Sequence, residues 1–140
     1  MEISDIRKRV LQAIDQSRRA ATERRARVDA ASAAYDRFLA QVATPIFKQF
    51  AAVLKAEGYG FQVFTPGGGL RLASERASED FIELQLDVSG HLPVVLGHVN
   101  RARGSRVLAS ERPIGVGVAE LTEQDVLEFL IQEIQPFVER

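Results

Sequence analysis

The 140-residue chain has no cysteine, which excludes disulfide frameworks, cysteine-ligated zinc, iron–sulfur clusters and thiol nucleophiles together. Histidine is nearly absent too, with only His91 and His98. The first falls in a turn and the second in a strand; they lack helical i, i+4 spacing, and no carboxylate partner is evident in register. Neither a metal site nor histidine-based catalysis is expected from them. No apolar run approaches the eighteen or so residues of a membrane span, and the opening MEISDIRKRVLQAIDQSRR lacks a signal-peptide core. A cytoplasmic protein with no membrane contact is the expectation.

Catalytic motifs are missing as well. Ser89-Gly90-His91 and Gly104-Ser105 do not sit in a G-x-S-x-G frame. Pro66-Gly67-Gly68-Gly69 is followed by Leu70 and Arg71, where a phosphate-binding loop needs Lys and Ser or Thr, and it precedes a strand instead of a helix. It reads as a hairpin turn. The acidic pairs Glu79-Asp80 and Glu123-Asp125 are accounted for by a loop and a helix N-terminus. The sequence thus offers no catalytic, cofactor-binding or metal-binding residues, and the chain is not expected to be an enzyme.

What is present is a long amphipathic segment. Ile3, Ile6, Val10, Ala13, Ile14, Ser17, Ala21, Val28, Ala31, Tyr35, Phe38, Leu39 and Val42 recur at three- and four-residue steps, so residues 3–43 read as one helix. At 1.5 Å per residue it would reach roughly 60 Å, about twice the width of a domain of the remaining size. The seam is uneven: large side chains occupy its ends, while Ala, Ser and Val fill much of the stretch from Ser17 to Ser32. That unevenness disfavours a long parallel coiled coil and favours antiparallel pairing of helices from two chains.

A second helix is expected from Pro45, with Thr44 as its N-cap and Gly58 as its C′ residue. From Tyr59 the period becomes two. FQVFT, LRLAS, FIELQLDV, VVLGHV and RVLASERPIGVGV read as about five antiparallel strands joined by short turns, with Gly115 and Gly117 baring one face of the last. LTEQDVLEFLIQEIQPFVER closes the chain as a helix capped by Thr122 with Asp125; Val126, Phe129, Leu130, Ile134 and Phe137 form its packing face, and Pro136 is expected to disturb its last turn. The fold class is therefore α+β: a long N-terminal helix, a second helix, an antiparallel meander sheet and a C-terminal helix packed on it. Residues 1–43 are expected to project as an oligomerisation helix from an α+β domain at 44–140.

Charge is split between the halves. Residues 1–57 carry eleven Lys or Arg against seven Asp or Glu, and residues 58–140 carry seven against twelve. The basic excess centres on Arg18, Arg19, Arg24, Arg25 and Arg27, whose side chains encircle the helix instead of forming one stripe. Arg101, Arg103 and Arg106 make a second basic element at a strand connection.

These features favour a non-enzymatic interaction protein, an adaptor or chaperone-like homodimer. Ile14, Val28, Tyr35 and Phe38 would make its self-contact, and its remaining surface would bind a protein partner. A nucleic-acid-binding dimer using the eight arginines just named is the alternative. It lacks aromatic residues interleaved with the basic ones. A small-ligand domain is a further alternative, with a pocket lined by residues such as Phe81, Phe129 and Phe137.

Overall fold

The computed structural model describes residues 1–139, arranged as a long N-terminal helical region, a five-stranded antiparallel sheet and a C-terminal helix. Helix α1 (Ile3–Phe38) runs through a π-turn (Leu39–Ala43) directly into α2 (Thr44–Ala56). No N-cap interrupts the helix at Thr44, contrary to the sequence expectation: Thr44 is itself helical (φ −61°, ψ −47°), and its N–H donates to the carbonyl of Leu39, five residues back. In a regular α-helix the ring of Pro45 would meet the carbonyl of Gln41. A π-turn widens the helix at that point, accommodating the ring without ending the helix. The helix stops at Gly58, whose φ is +91°. There the N–H of Gly58 donates to Lys55 and that of Tyr59 to Leu54, which closes the last carbonyls.

The strands β1 (Phe61–Phe64), β2 (Leu70–Ser74), β3 (Phe81–Asp87), β4 (Val94–Arg103) and β5 (Arg106–Ile114) pair strictly in sequence order. Their register, which aligns Leu72 with Ile82, Ile82 with Val99, and Val95 with Ile114, puts Leu70, Leu72, Ile82, Leu84, Val95 and Val99 on one face. That face is buried against α2 and α3 (Glu123–Val138), where Phe47, Val126 and Leu130 are fully enclosed. The other face carries no helix. β5 ends at Ile114, so Gly115 and Gly117 belong to the following turn and do not bare a strand. The glycine beneath a helix is Gly97 of β4, over which the ring of Phe129 lies.

Helix α3 starts with the expected box: the Thr122 hydroxyl accepts from the Asp125 N–H, and the Asp125 carboxylate accepts from the Thr122 N–H at 3.0 Å. Loss of the hydroxyl in Thr122→Ala should lower stability by about 1 kcal/mol in urea unfolding, and Thr122→Ser should restore most of it. An unchanged midpoint in the alanine variant would show that water replaces the cap. Pro136 lies inside the last turn, and α3 continues to Val138. Arg112 fastens β5 to this helix by donating to Glu133 at 2.8 Å and Gln132 at 2.9 Å, with its guanidinium over the Phe129 ring.

The end of α1 belongs to the same core. Tyr35 and Phe38 are each only 5 % exposed, with Ala31 and Ala34 packed beside them. The Tyr35 hydroxyl donates to the carbonyl of Leu84. Burial, reinforced by the carboxylates of Glu83 and Asp36, pushes its pKa from 10.0 up to about 12. The folded state therefore holds this proton more tightly than the unfolded chain, and the contribution is complete below pH 10 and lost as pH rises towards 12. In alkaline unfolding, Tyr35→Phe should lose less stability than the parent protein across that window. Identical slopes for the two proteins would remove Tyr35 as the cause.

Candidate functional site

From Ile3 to Ala30, α1 has no body to pack on. At 1.5 Å per residue this segment forms an arm of about 42 Å. It is shorter than the expected 1–43 because packing on the protein's own core starts at Ala31. Along it Ile3, Ile6, Val10 and Ile14 are 84, 47, 50 and 42 % exposed. These four positions fall on one side, in phase with Ala21, Val28 and Tyr35, so the stripe faces the side of the helix that meets the body further along. Val28 is half-buried on this stripe. Tyr35 and Phe38, expected in the self-contact, are instead enclosed in their own chain, because two helical turns beyond Val28 the stripe meets the sheet. Ile14 and Val28 remain available to a second chain, and Ile3, Ile6 and Val10 join them.

The two arginine clusters are not brought together. Tyr35 bonds to Leu84 and lies beside Gly67–Gly69 and Leu86, which places the arm at the β1–β2 and β3–β4 turn end of the sheet. Arg101, Arg103 and Arg106 sit at the β4–β5 tip, at the opposite end, because β4 runs away from the β3–β4 turn. Arg103 reaches Glu139 at 4.0 Å and Arg101 lies over the ring of Phe137, so α3 engages part of this cluster. On the arm, Arg19 pairs with Asp15 and Arg25 donates to the Thr22 hydroxyl. Arg18, Arg24 and Arg27 are exposed.

The helix-free sheet face holds a row of polar side chains that sequence reasoning missed. Phe64, Arg71, Glu83, His98 and Glu111 are successive cross-strand partners. Arg71 donates to Glu83 at 2.8 Å and stacks on Phe81, Gln85 donates to the other Glu83 oxygen at 3.0 Å, and His98 meets Glu111 at 2.9 Å. Glu83 is only 4 % exposed, a burial made tolerable by these partners. The carboxylate that His98 appeared to lack stands directly opposite it in register. Nothing in one-dimensional spacing reveals such a pair, because it depends on the length of the β4–β5 turn.

A common pocket for Phe81, Phe129 and Phe137 is not formed. Phe81 lies on the helix-free face, Phe129 covers Gly97, and Phe137 packs edge-on against Phe61. Phe137 also borders a crevice of about 130 Å³ with Tyr59, Arg76 and Asp80, small beside the several hundred Å³ of typical ligand sites. Among the described residues, no three His, Cys, Asp or Glu side chains are placed to share a metal ion, and no helix is long and apolar enough to cross a membrane. No protein-family model, curated protein or solved structure matches this chain.

Proposed function

We propose that this is a non-enzymatic interaction protein, an adaptor or chaperone-like homodimer that assembles through its N-terminal arm and works in the cytoplasm. The observation that carries this reading is the row of Ile3, Ile6, Val10 and Ile14, exposed on an arm that meets no other part of its own chain. An isolated apolar stripe of this size costs free energy in water, and a second copy is the simplest cover with closed symmetry. The uneven seam supports antiparallel pairing. In that arrangement the large residues from Ile3 to Ile14 of one arm oppose the small half, from Ser17 to Val28, of the other. Parallel pairing would stack large on large and small on small. The helix-free sheet face, with its mixed apolar and charged side chains, is the surface left for a protein partner.

Sedimentation equilibrium of the intact chain tests the assembly: a concentration-dependent dimer is expected, and a monomer at every concentration up to the millimolar range would refute it. Exposed Arg18, Arg24 and Arg27 favour a second reading, contact with a nucleic acid. Engagement of the five arm arginines would make log K fall with log salt at a slope of about −4 to −5 on duplex DNA. Titration at several salt concentrations decides the matter, and a flat dependence or no binding removes it.

A further inference from the structure

We infer that the tip of each arm docks on the apolar turns at the arm end of the second copy's sheet, an inference that rests on the arm-mediated dimer. Three connections meet at that end: Thr65–Gly69 after β1, Val88–Pro93 after β3, and Gly115–Gly117 after β5, the last leading into the Val118–Glu120 turn against which α1 packs. Phe64, Val88, Leu92 and Val116 are exposed there, by 49, 43, 62 and 93 %. Beyond the arm, the large exposed apolar side chains are these four together with Val53, Val107, Leu108 and Ile131. Half of them thus cluster at the one end from which the arm departs.

Length and phase bring the tip to this cluster. Covering both stripes requires the arms to overlap fully, and an antiparallel overlap of about 42 Å sets Ile3 of one copy level with Ala30 of the other, where that helix enters its body. The stripe is in phase with Tyr35, so a partner arm lying on it runs along the sheet side of the helix and ends against the turns. Met1 and Ile3, 94 and 84 % exposed, would be the residues covered. Large residues packed against the small half of each arm make a narrow contact, and added contact at both tips moves the interface towards the 1,200 Å² or so of a stable association.

Charge supports the same placement. Residues 1–9 carry Arg7, Lys8 and Arg9 with Glu2 and Asp5, a small basic excess, whereas the receiving end presents Asp36, Asp87, Glu120 and Glu123 with Arg37. Over longer range, residues 1–30 hold eight basic against five acidic side chains and residues 31–140 ten against fourteen. The basic arm approaching another copy's acidic body is therefore attracted to it at long range.

The absence of cysteine makes the contact directly testable. Single-cysteine chains Ile3→Cys and Leu92→Cys are mixed and treated with a short thiol-reactive crosslinker. Val107→Cys, at the far end of the sheet, replaces Leu92→Cys in the control mixture. A tip held at its site has a millimolar effective concentration, so at micromolar protein the Ile3–Leu92 product should exceed the Ile3–Val107 product by roughly a hundredfold. Ser17→Cys, near the middle of the arm, reports arm pairing separately by linking to itself. If Ser17→Cys chains link but Ile3 reacts equally with both partners, the tip contact is wrong and the arm dimer stands. If Ser17→Cys chains fail to link and sediment as monomers, the arm dimer falls, the tip contact with it, and the turns belong to some other occupant.

Discussion

Serine in place of Ile6, Val10 and Ile14 together should abolish self-association while leaving the body folded. Each of these side chains is roughly half-exposed in the isolated chain, so pairing buries only the remaining part of its surface. At about 1 kcal/mol for each, somewhat below full burial of a large aliphatic side chain, six side chains in two copies contribute about 6 kcal/mol, or about four orders of magnitude in the dissociation constant. A micromolar dimer would become a monomer at any practical concentration. Because the arm has no body beneath it, the same substitutions should scarcely move the thermal unfolding of the sheet. Val53→Ser removes a 64 % exposed apolar side chain from α2, and it should leave the association constant unchanged. A triple variant that still sediments as a dimer would show that the arms do not hold the copies together.

The sequence disclosed this arm more fully than it disclosed where the arm ends. Helical spacing made the stripe visible from Ile3 onward, because an α-helix repeats its faces whatever lies beside it. The place where a stripe passes from solvent to core leaves no such mark. Tyr35 shares the phase of Ile14 and Val28, and only the position of the sheet separates it from them. The mistake at Thr44 has a different origin. Thr-Pro resembles a cap followed by a first helical turn, and the structure resolves the same steric conflict with a π-turn whose hydrogen bonds no spacing pattern announces.

The sheet was legible through alternation, and each strand pairs with the next because the turns between them are short. Its register was not. The row from Phe64 through Arg71, Glu83 and His98 to Glu111 depends on turn geometry at four connections, and a one-residue slip at any of them would send its members to opposite faces. The arginine clusters illustrate the same limit at larger scale. Composition groups Arg18–Arg27 with Arg101–Arg106, but a meander whose last hairpin tip points away from the arm holds them at opposite ends of the body. A nucleic acid gripped by both would have to span one copy from end to end.

A side chain at Gly97 should be the most damaging single change in the body. This position is buried in β4 between Leu84 and Arg112, its partners on β3 and β5. A β-carbon there would fall within the van der Waals radius of the Phe129 ring and close to Ile114. The ring cannot swing aside cheaply, since Phe129 is 2 % exposed and Arg112 covers it while holding Glu133 and Gln132. Displacing it would therefore disturb both the core and the polar tie between β5 and α3. Overpacking of this kind costs up to about 3 kcal/mol, roughly 10 °C of melting temperature for a chain of this length, and Gly97→Val should approach that value. Gly97→Ala should cost less. Phe129→Leu, which shortens the side chain over the glycine, should recover a large part of the loss when combined with Gly97→Val, although it destabilises the parent protein by leaving a void. Strictly additive losses in that double variant would mean that the glycine is required for some reason other than the approach of the ring. The arm-mediated association of the Gly97→Val protein should persist wherever the body is folded, because the defect lies inside the body and Ile6, Val10 and Ile14 lie on the arm beyond it.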